Sequence, residues 1–412
     1  MPRALGEHHD IAIIGGGQAG LAMSAVLQRR GVQHVVIERR QIGERWRTER
    51  WESLRFQFPN WSLELPGYAY DGGQPEAFAH WSEILRIIQG YAAATGAPVR
   101  EETDVTELRR DDPGFTLCVP GGQIHARQVV VATGPFQRPR IPEVSERIPS
   151  SVLQTDPTRY RRPDDLPDGA VLVVGSGASG CQISDELRRA GRRVFLSVSS
   201  HRRVPRRLLG RDVYWWLDRT GRLAQTIDGL PGRQWPPSTV VTGVAGGYDV
   251  DVRAMAAEGV TVLGRVVAAS HQTLTLAGNA NEVLDEADAS FAGFVAAARE
   301  FAVAHPDIEF VDEELELATM PAAAPEIGSL DLRRENVAAI IWATGYDYDY
   351  GWVRVPVFDA QGRPLQRRGV SPVPGLYFLG LHWMHTFKSG LFCGVGADAE
   401  YLAERMVWRP LE

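Results

Sequence analysis

Cysteine is scarce in this chain of 412 residues, and the three present, Cys118, Cys181 and Cys393, lie far apart with no CxxC pair among them. That removes the dithiol through which a disulfide reductase would pass electrons from a flavin to a thiol, and it reads the three as buried or inert thiols. No apolar run approaches the roughly 18 to 20 residues of a membrane span. Residues 1–10 also have no apolar core of a secretion signal, so a cytoplasmic protein with no membrane partner is expected. Metal-ligand clusters are missing too: His8 and His9 stand alone, and His382 with His385 has no nearby acids, so no metal site is expected. Nor is positive charge in excess. With 44 basic against 51 acidic residues the formal net charge is −7, which argues against a nucleic-acid partner.

Glycine, by contrast, is placed with care. Gly15, Gly17 and Gly20 follow the apolar run at 11–14, and Gly175, Gly177 and Gly180 follow another at 171–174. Each set has the GxGxxG spacing between a strand and a helix, and two such sets in one chain point to two bound dinucleotides. The first glycine permits the tight turn, the second lets backbone amides reach a pyrophosphate, and the third lets helix and strand pack closely. The helix N-terminus then presents unpaired N–H groups and its positive dipole end to the anion.

The residue ending the next strand separates the two sites. After the first turn the strand at 34–37 ends in Glu38, whose carboxylate can accept hydrogen bonds from a ribose diol, the alternative being a solvated acid. After the second, the strand at 194–198 runs without an acid into Ser199, Ser200, His201, Arg202 and Arg203, with Arg206 and Arg207 beyond. Hydroxyls and guanidinium forks suit a 2′-phosphate; a solvated basic loop is the other reading.

A chain this long is expected to form two or three domains. The segment 43–70 is rich in aromatics that form core or line a pocket, 81–93 reads as a helix, and short alternating runs at 104–108, 115–119 and 123–126 read as a meander leading to a strand at 129–131. The second glycine turn opens a helix at 178–189, a long insertion of uncertain structure follows at 210–247, and strands are expected at 260–267, 337–343 and 376–379. Helices are expected at 286–304 and 395–406. The fold class is α/β, with two Rossmann-like dinucleotide-binding domains, the second inserted into a split first.

In this order the motifs resemble the flavin-containing monooxygenase group of two-dinucleotide-binding flavoproteins. The resemblance covers nearly the whole chain: residues 15–20 with Glu38, Gly43-Glu44-Arg45-Trp46, Ala132-Thr133-Gly134, residues 175–180, and Ala343-Thr344-Gly345-Tyr346. It implies a NAD(P)-binding domain at 156–330, inserted between FAD-binding parts at 1–155 and 331–412. FAD would sit on the first unit and NADPH on the second, with NADH left open. By similarity Arg39 and Trp46 lie near FAD, Gly380 near its ribityl-phosphate side, and Leu391 where the last helix points at the pyrimidine end of the flavin, a Gly-rich turn before a surface helix being the alternative.

The implied activity is NADPH- and O₂-dependent oxygenation of a small amine or sulfide through a flavin C4a-hydroperoxide. Two departures stand out. Ile148, Ser150 and Gln154 occupy the places of the Phe, Gly and His of the family signature, which weakens Baeyer–Villiger chemistry, and Gln57 stands where many members have an Asn beside the flavin. Gln57 is the single catalytic candidate; it either hydrogen-bonds the peroxide or merely faces the pocket. An NADPH-dependent flavin oxidase, reductase or dehydrogenase, and a non-catalytic nucleotide-binding sensor, are the alternatives. The partners are then a small-molecule substrate and O₂, and a homodimer is compatible with all of these.

Overall fold

Two sheets frame the computed structural model, which describes residues 7–230, 239–311 and 326–406. β1 (Glu7–Ile14) ends in four buried apolar residues, as a parallel strand covered on both faces requires. It pairs in parallel with β2 (His34–Ile37), reached through α1 (Gln18–Arg29). After the loops at 43–70 comes α2 (Trp81–Thr95), begun where the His80 side chain accepts the Ser82 amide and ended at Gly96, whose φ of 62° supplies the left-handed cap. The meander is β3 (Glu107–Asp111), β4 (Gly114–Val119) and β5 (Gly122–Val131). β5 joins two expected runs into one strand, antiparallel to β4 in its first half and parallel to β1 along most of its length.

The second sheet is all parallel. β6 (Leu153–Thr155), β7 (Ala170–Val174), β8 (Val194–Ser197), β9 (Thr261–Leu263) and β10 (Val337–Trp342) lie in the order β6-β10-β7-β8-β9. α3 (Ala178–Arg189) follows the second glycine turn over the expected residues, while α4 (Ala280–Ala304) begins six residues before the pattern suggested. The expected boundaries at 155 and 331 need correction. β6 belongs to this sheet, and so does β10, whose Ala339, Ile340 and Ile341 have no exposure and pack between β6 and β7. The chain returns to the first sheet by a bridge from Val353 to Leu108 of β3 and then with β11 (Leu376–Phe378), which pairs with the second half of β5. α5 (Phe392–Ala403) then packs on α1.

The expected insertion includes a short helix, Val213–Arg219, begun by Asp212, whose Oδ1 accepts the Tyr214 amide at 2.8 Å. With α4 it buries Tyr214, Trp216, Phe291 and Phe294 in a satellite core. Its residues 231–238 lie outside the described part. Backbone hydrogen bonds tie this insertion to the segment before α5: Ile227 donates to the His385 carbonyl at 2.9 Å, Phe387 to Gln225 at 3.2 Å and Lys388 to Leu223 at 3.3 Å. A second tie joins the domains near residue 50. The Glu52 amide donates to the Arg161 carbonyl at 2.9 Å, the Arg161 guanidinium donates to the Thr48 carbonyl, and Trp51 is buried among Tyr160, Leu166 and Val171 of the second domain. No helix among the described residues is long and apolar enough to cross a membrane.

Candidate active site

Both glycine turns sit at the carboxyl ends of their parallel strands and open into one cavity of about 1180 Å³. That exceeds the roughly 300–1,000 Å³ of a pocket for one drug-sized ligand and suits two extended ones. The turns are built alike. At Gly15 (φ 118°) a Cβ would lie 2.5 Å from the Ala132 carbonyl oxygen, and at Gly20 only 1.9 Å from the Gly15 oxygen; Gly17 has nothing within 4 Å. At Gly175 (φ 109°) the corresponding distance to the Ala343 oxygen is 2.3 Å, at Gly180 to the Gly175 oxygen 1.9 Å, and Gly177 is again open. In each turn the outer glycines are forced by close backbone packing, and the middle one leaves room where a diphosphate approaches. The residues present therefore fit two dinucleotides.

Glu38 is buried at the first turn, its Oε2 accepting the Gly16 amide at 2.7 Å and Oε1 the Arg40 amide at 3.1 Å. These bonds fix the carboxylate while leaving lone pairs for a ribose diol. Arg39, Thr133 and Gly134 line the same end of the cavity, with Thr133 Oγ1 accepting from Gln137 Nε2 at 3.0 Å. Gly380 (φ 77°) lies against α1, where a Cβ would come 2.5 Å from that of Ala19. Gln18 Nε2 donates to the Gly390 carbonyl at 2.8 Å, holding the start of α5 over the first turn. Leu391 caps α5 and lines the cavity beside Phe392, so the unpaired first-turn amides open onto the site.

Gln57 also lines the cavity, between Phe56 and Phe58, whose rings meet edge to face at 5.2 Å. Its backbone carbonyl accepts from Arg206 Nη1 at 2.7 Å, while its side-chain Oε1 is buried without a partner. A buried amide pole left unpaired at a cavity wall costs about 1–3 kcal/mol unless something in the cavity meets it. Trp46 stacks its edge on Phe56 at 6.2 Å and carries the Arg50 guanidinium 4.7 Å from its ring centre.

The second site departs from the sequence reading. Gly177 and Gly345 line the cavity, as does Ser200, but Ser199, His201, Arg202, Arg203 and Thr344 do not. Arg203 is corrected to a structural role, because Asp251 at 2.8 Å and Asp288 at 3.1 Å hold its guanidinium over the Phe291 ring. His201 is buried instead of reaching for a phosphate, with Nδ1 on the Ser176 carbonyl at 2.9 Å and burial lowering its pKa. Ser199 is exposed, and Arg202 is half-buried with Nε on Ser290 Oγ at 3.3 Å. Thr344 donates its hydroxyl to the Arg140 carbonyl and so fastens the crossing between domains.

Two wall residues escaped the sequence reading. His382, dismissed above as half of a metal pair, packs on Phe136 at 5.3 Å, and burial lowers its pKa, so it is a neutral imidazole at pH 7. Its only signal was its place two residues after Gly380. Arg50 is the other, hidden among 44 basic residues.

Residues 12–211 match the model of the pyridine nucleotide-disulphide oxidoreductase family. A CzcO-like oxidoreductase of Geobacillus kaustophilus is 32% identical over 400 residues, covering 95% of this chain and 97% of that protein. Indole-3-pyruvate monooxygenase YUCCA1 of Oryza sativa subsp. japonica is 30% identical over 205 residues, 48% of this chain and 50% of its own. A flavin-containing monooxygenase from Stenotrophomonas maltophilia shares the fold at a TM-score of 0.67 and 19% identity, over 97% of this chain and 98% of that one. The chain belongs with the CzcO-like oxidoreductases, and its fold is that of the flavin-containing monooxygenases. Its relatives are oxidoreductases, and its two glycine turns fit FAD and a nicotinamide coenzyme. The missing CxxC sets it apart from dithiol reductases, which pass electrons onward through that pair.

Proposed function

We propose that this flavoprotein uses NADPH and O₂ to oxygenate a small soft nucleophile, an amine or a sulfide. The observation that carries the reading is the unpaired, buried amide oxygen of Gln57 at the wall of a cavity that both glycine turns share. FAD, when bound, supplies the redox chemistry, taking a hydride from the nicotinamide and giving the electrons to O₂.

The chain's own residues orient the cofactors and keep water out. Trp46, Phe56, Trp383, Phe387 and Phe392 give the cavity an aromatic wall, which excludes water from the reacting groups. Gln57 presents an amide that can hydrogen-bond a polar oxygen species, and Arg206 fixes the backbone carrying it. His382, neutral at pH 7, can donate one hydrogen bond and accept another without adding charge. The positive end of α5, where Leu391 lines the cavity, would favour negative charge on a flavin bound there. Ser200 at the cavity, with Arg202 two residues on in the sequence, supports a 2′-phosphate, hence NADPH over NADH.

The test mixes FAD-loaded enzyme, NADPH and O₂ with amines, sulfides and, given the half-length likeness to an indole-3-pyruvate monooxygenase, a 2-oxo acid. Oxygenated product should form, and Gln57→Leu should divert at least about tenfold more of the consumed NADPH to hydrogen peroxide while leaving the rate of flavin reduction within twofold. Stoichiometric peroxide with every compound, in the native enzyme, overturns the proposal in favour of an NADPH oxidase.

A further inference from the structure

Arg50 lines the cavity, and among the described residues no carboxylate lies within ion-pair distance of its guanidinium. The nearest candidate, Glu49, is already taken by Arg45 at 2.7 Å. Asp156, across the domain boundary, spends Oδ1 on the Thr158 amide at 2.8 Å and on the Thr158 hydroxyl. Among the described residues the one acceptor of Arg50 is the Glu49 carbonyl, reached by Nη1 at 2.9 Å, and its cation rests on the Trp46 ring. Nearby, Arg161 is spent on the carbonyls of Thr158, Tyr160 and Thr48. A half-buried guanidinium that lines the cavity and has one neutral acceptor among the described residues is an unfinished site, with donors left over for an anion.

Its position says which anion. Trp51, the next residue, is buried in the second domain's core with Cys181 and Ile183 of α3, the helix that the second glycine turn opens. Tyr346, whose phenol interacts with the Arg50 charge, follows the Ala343–Gly345 strand end against which Gly175 is pressed. Arg50 thus belongs to the first domain by sequence but stands at the second domain's diphosphate turn. The first turn is served from elsewhere, by Gln18 and Gly380. At the end of β8, where a 2′-phosphate would lie, Ser200 lines the cavity.

We propose that Arg50 is the cationic clamp on the diphosphate of the nicotinamide coenzyme, supplied by the flavin domain and closing over the anion opposite the Gly177 amides. The coenzyme is then held between the two domains, and its diphosphate finishes the charge pairing that the protein leaves open. The inference rests on the assignment of the second turn to a nicotinamide coenzyme; it needs neither oxygenation nor any particular substrate.

The experiment titrates FAD-loaded enzyme with NADP⁺ and, separately, with NAD⁺, following heat and the shift of the flavin band without turnover. Arg50→Met should raise both dissociation constants by the same factor, about 10- to 100-fold, the worth of a lost charge-assisted pair. Arg50→Lys should recover part of the loss, since it keeps the charge but not the fork. FAD content and the visible spectrum should stay unchanged in both variants. Dissociation constants within twofold of the parent in both variants would overturn the proposal. So would a loss confined to NADP⁺, which would move Arg50 to the 2′-phosphate, or a loss of FAD itself, which would move it to the flavin. Raised KM for an anionic substrate with unaltered coenzyme binding would assign the clamp to a substrate carboxylate instead, and equally refute it.

Discussion

Replacing Arg206 by Met tests how the segment carrying Gln57 is held. Arg206 is 1% exposed; its Nε donates to Asp212 Oδ2 at 2.9 Å, Nη2 to the same oxygen, and Nη1 to the Gln57 carbonyl at 2.7 Å. The Phe78 ring covers the guanidinium at 4.3 Å, and both side chains of the ion pair are only 2% exposed. Met fills much of the same space, but it leaves a buried carboxylate without a cation and a carbonyl without a donor. Orphaning one member of a buried pair costs about 3–5 kcal/mol, and the carbonyl adds about 1 kcal/mol or more, so a loss of about 4–6 kcal/mol is expected. Against a typical stability of about 5–15 kcal/mol, that brings the variant close to unfolding. The companion Arg206→Met with Asp212→Asn removes both charges and keeps an amide oxygen for the Tyr214 N–H, so it should regain at least about 2 kcal/mol. Urea unfolding followed by circular dichroism at a fixed excess of FAD measures the cycle. A single-variant loss under about 1 kcal/mol, or two changes that simply add, would refute the reasoning.

Further outcomes follow from the same geometry. Gly17→Ala should fold with near-parental stability, since a Cβ there meets nothing within 4 Å, yet purify with little FAD; Gly20→Ala, 1.9 Å from the Gly15 oxygen, should instead lose several kcal/mol, and equal stabilities would contradict the assignment. Arg202→Ala should weaken NADPH about 10- to 100-fold and NADH little, whereas Arg203→Ala should lower thermal stability by taking the cation from Asp251, Asp288 keeping Arg253 at 2.8 Å; weakened NADPH with unchanged melting in Arg203→Ala would restore the sequence reading. His34 is buried with Nε2 on Ser24 Oγ at 2.7 Å and Nδ1 on the Val32 carbonyl at 2.9 Å, and burial lowers its pKa. The unfolded chain therefore binds this proton more readily, so the stability His34 contributes is present above about pH 6.5 and lost as pH falls. His34→Gln should flatten that acid slope in urea titrations below about pH 6.5, and an unchanged slope would exclude His34 as its source.

Local chemistry made the two turns readable. Gly15, Gly20, Gly175 and Gly180 are dictated by backbone contacts a few residues away, so their spacing carries the geometry with it. β7, α3 and β8 were legible for the same reason: each is a local pattern of apolar residues bounded by glycine. What failed depended on distant partners. Nothing in the run 337–342 says that it inserts between β6 and β7, because an apolar strand suits either sheet until its neighbours are known. Arg203 read as a phosphate ligand because Asp251 and Asp288, which neutralise it, come 48 and 85 residues later. Gln57 was found through a family position, but the buried Arg206 beneath it lies 149 residues away. Arg50 carried no signal until the carboxylate beside it proved to be taken.

The backbone lacing between Gln225 and Ile227 on one side and His385 and Phe387 on the other has a consequence for traffic. Two lobes pinned at several places cannot swing like a jaw without tearing main-chain bonds whose polar groups would then need new partners. A molecule lodged between them would therefore leave edgewise, with the clasp still made.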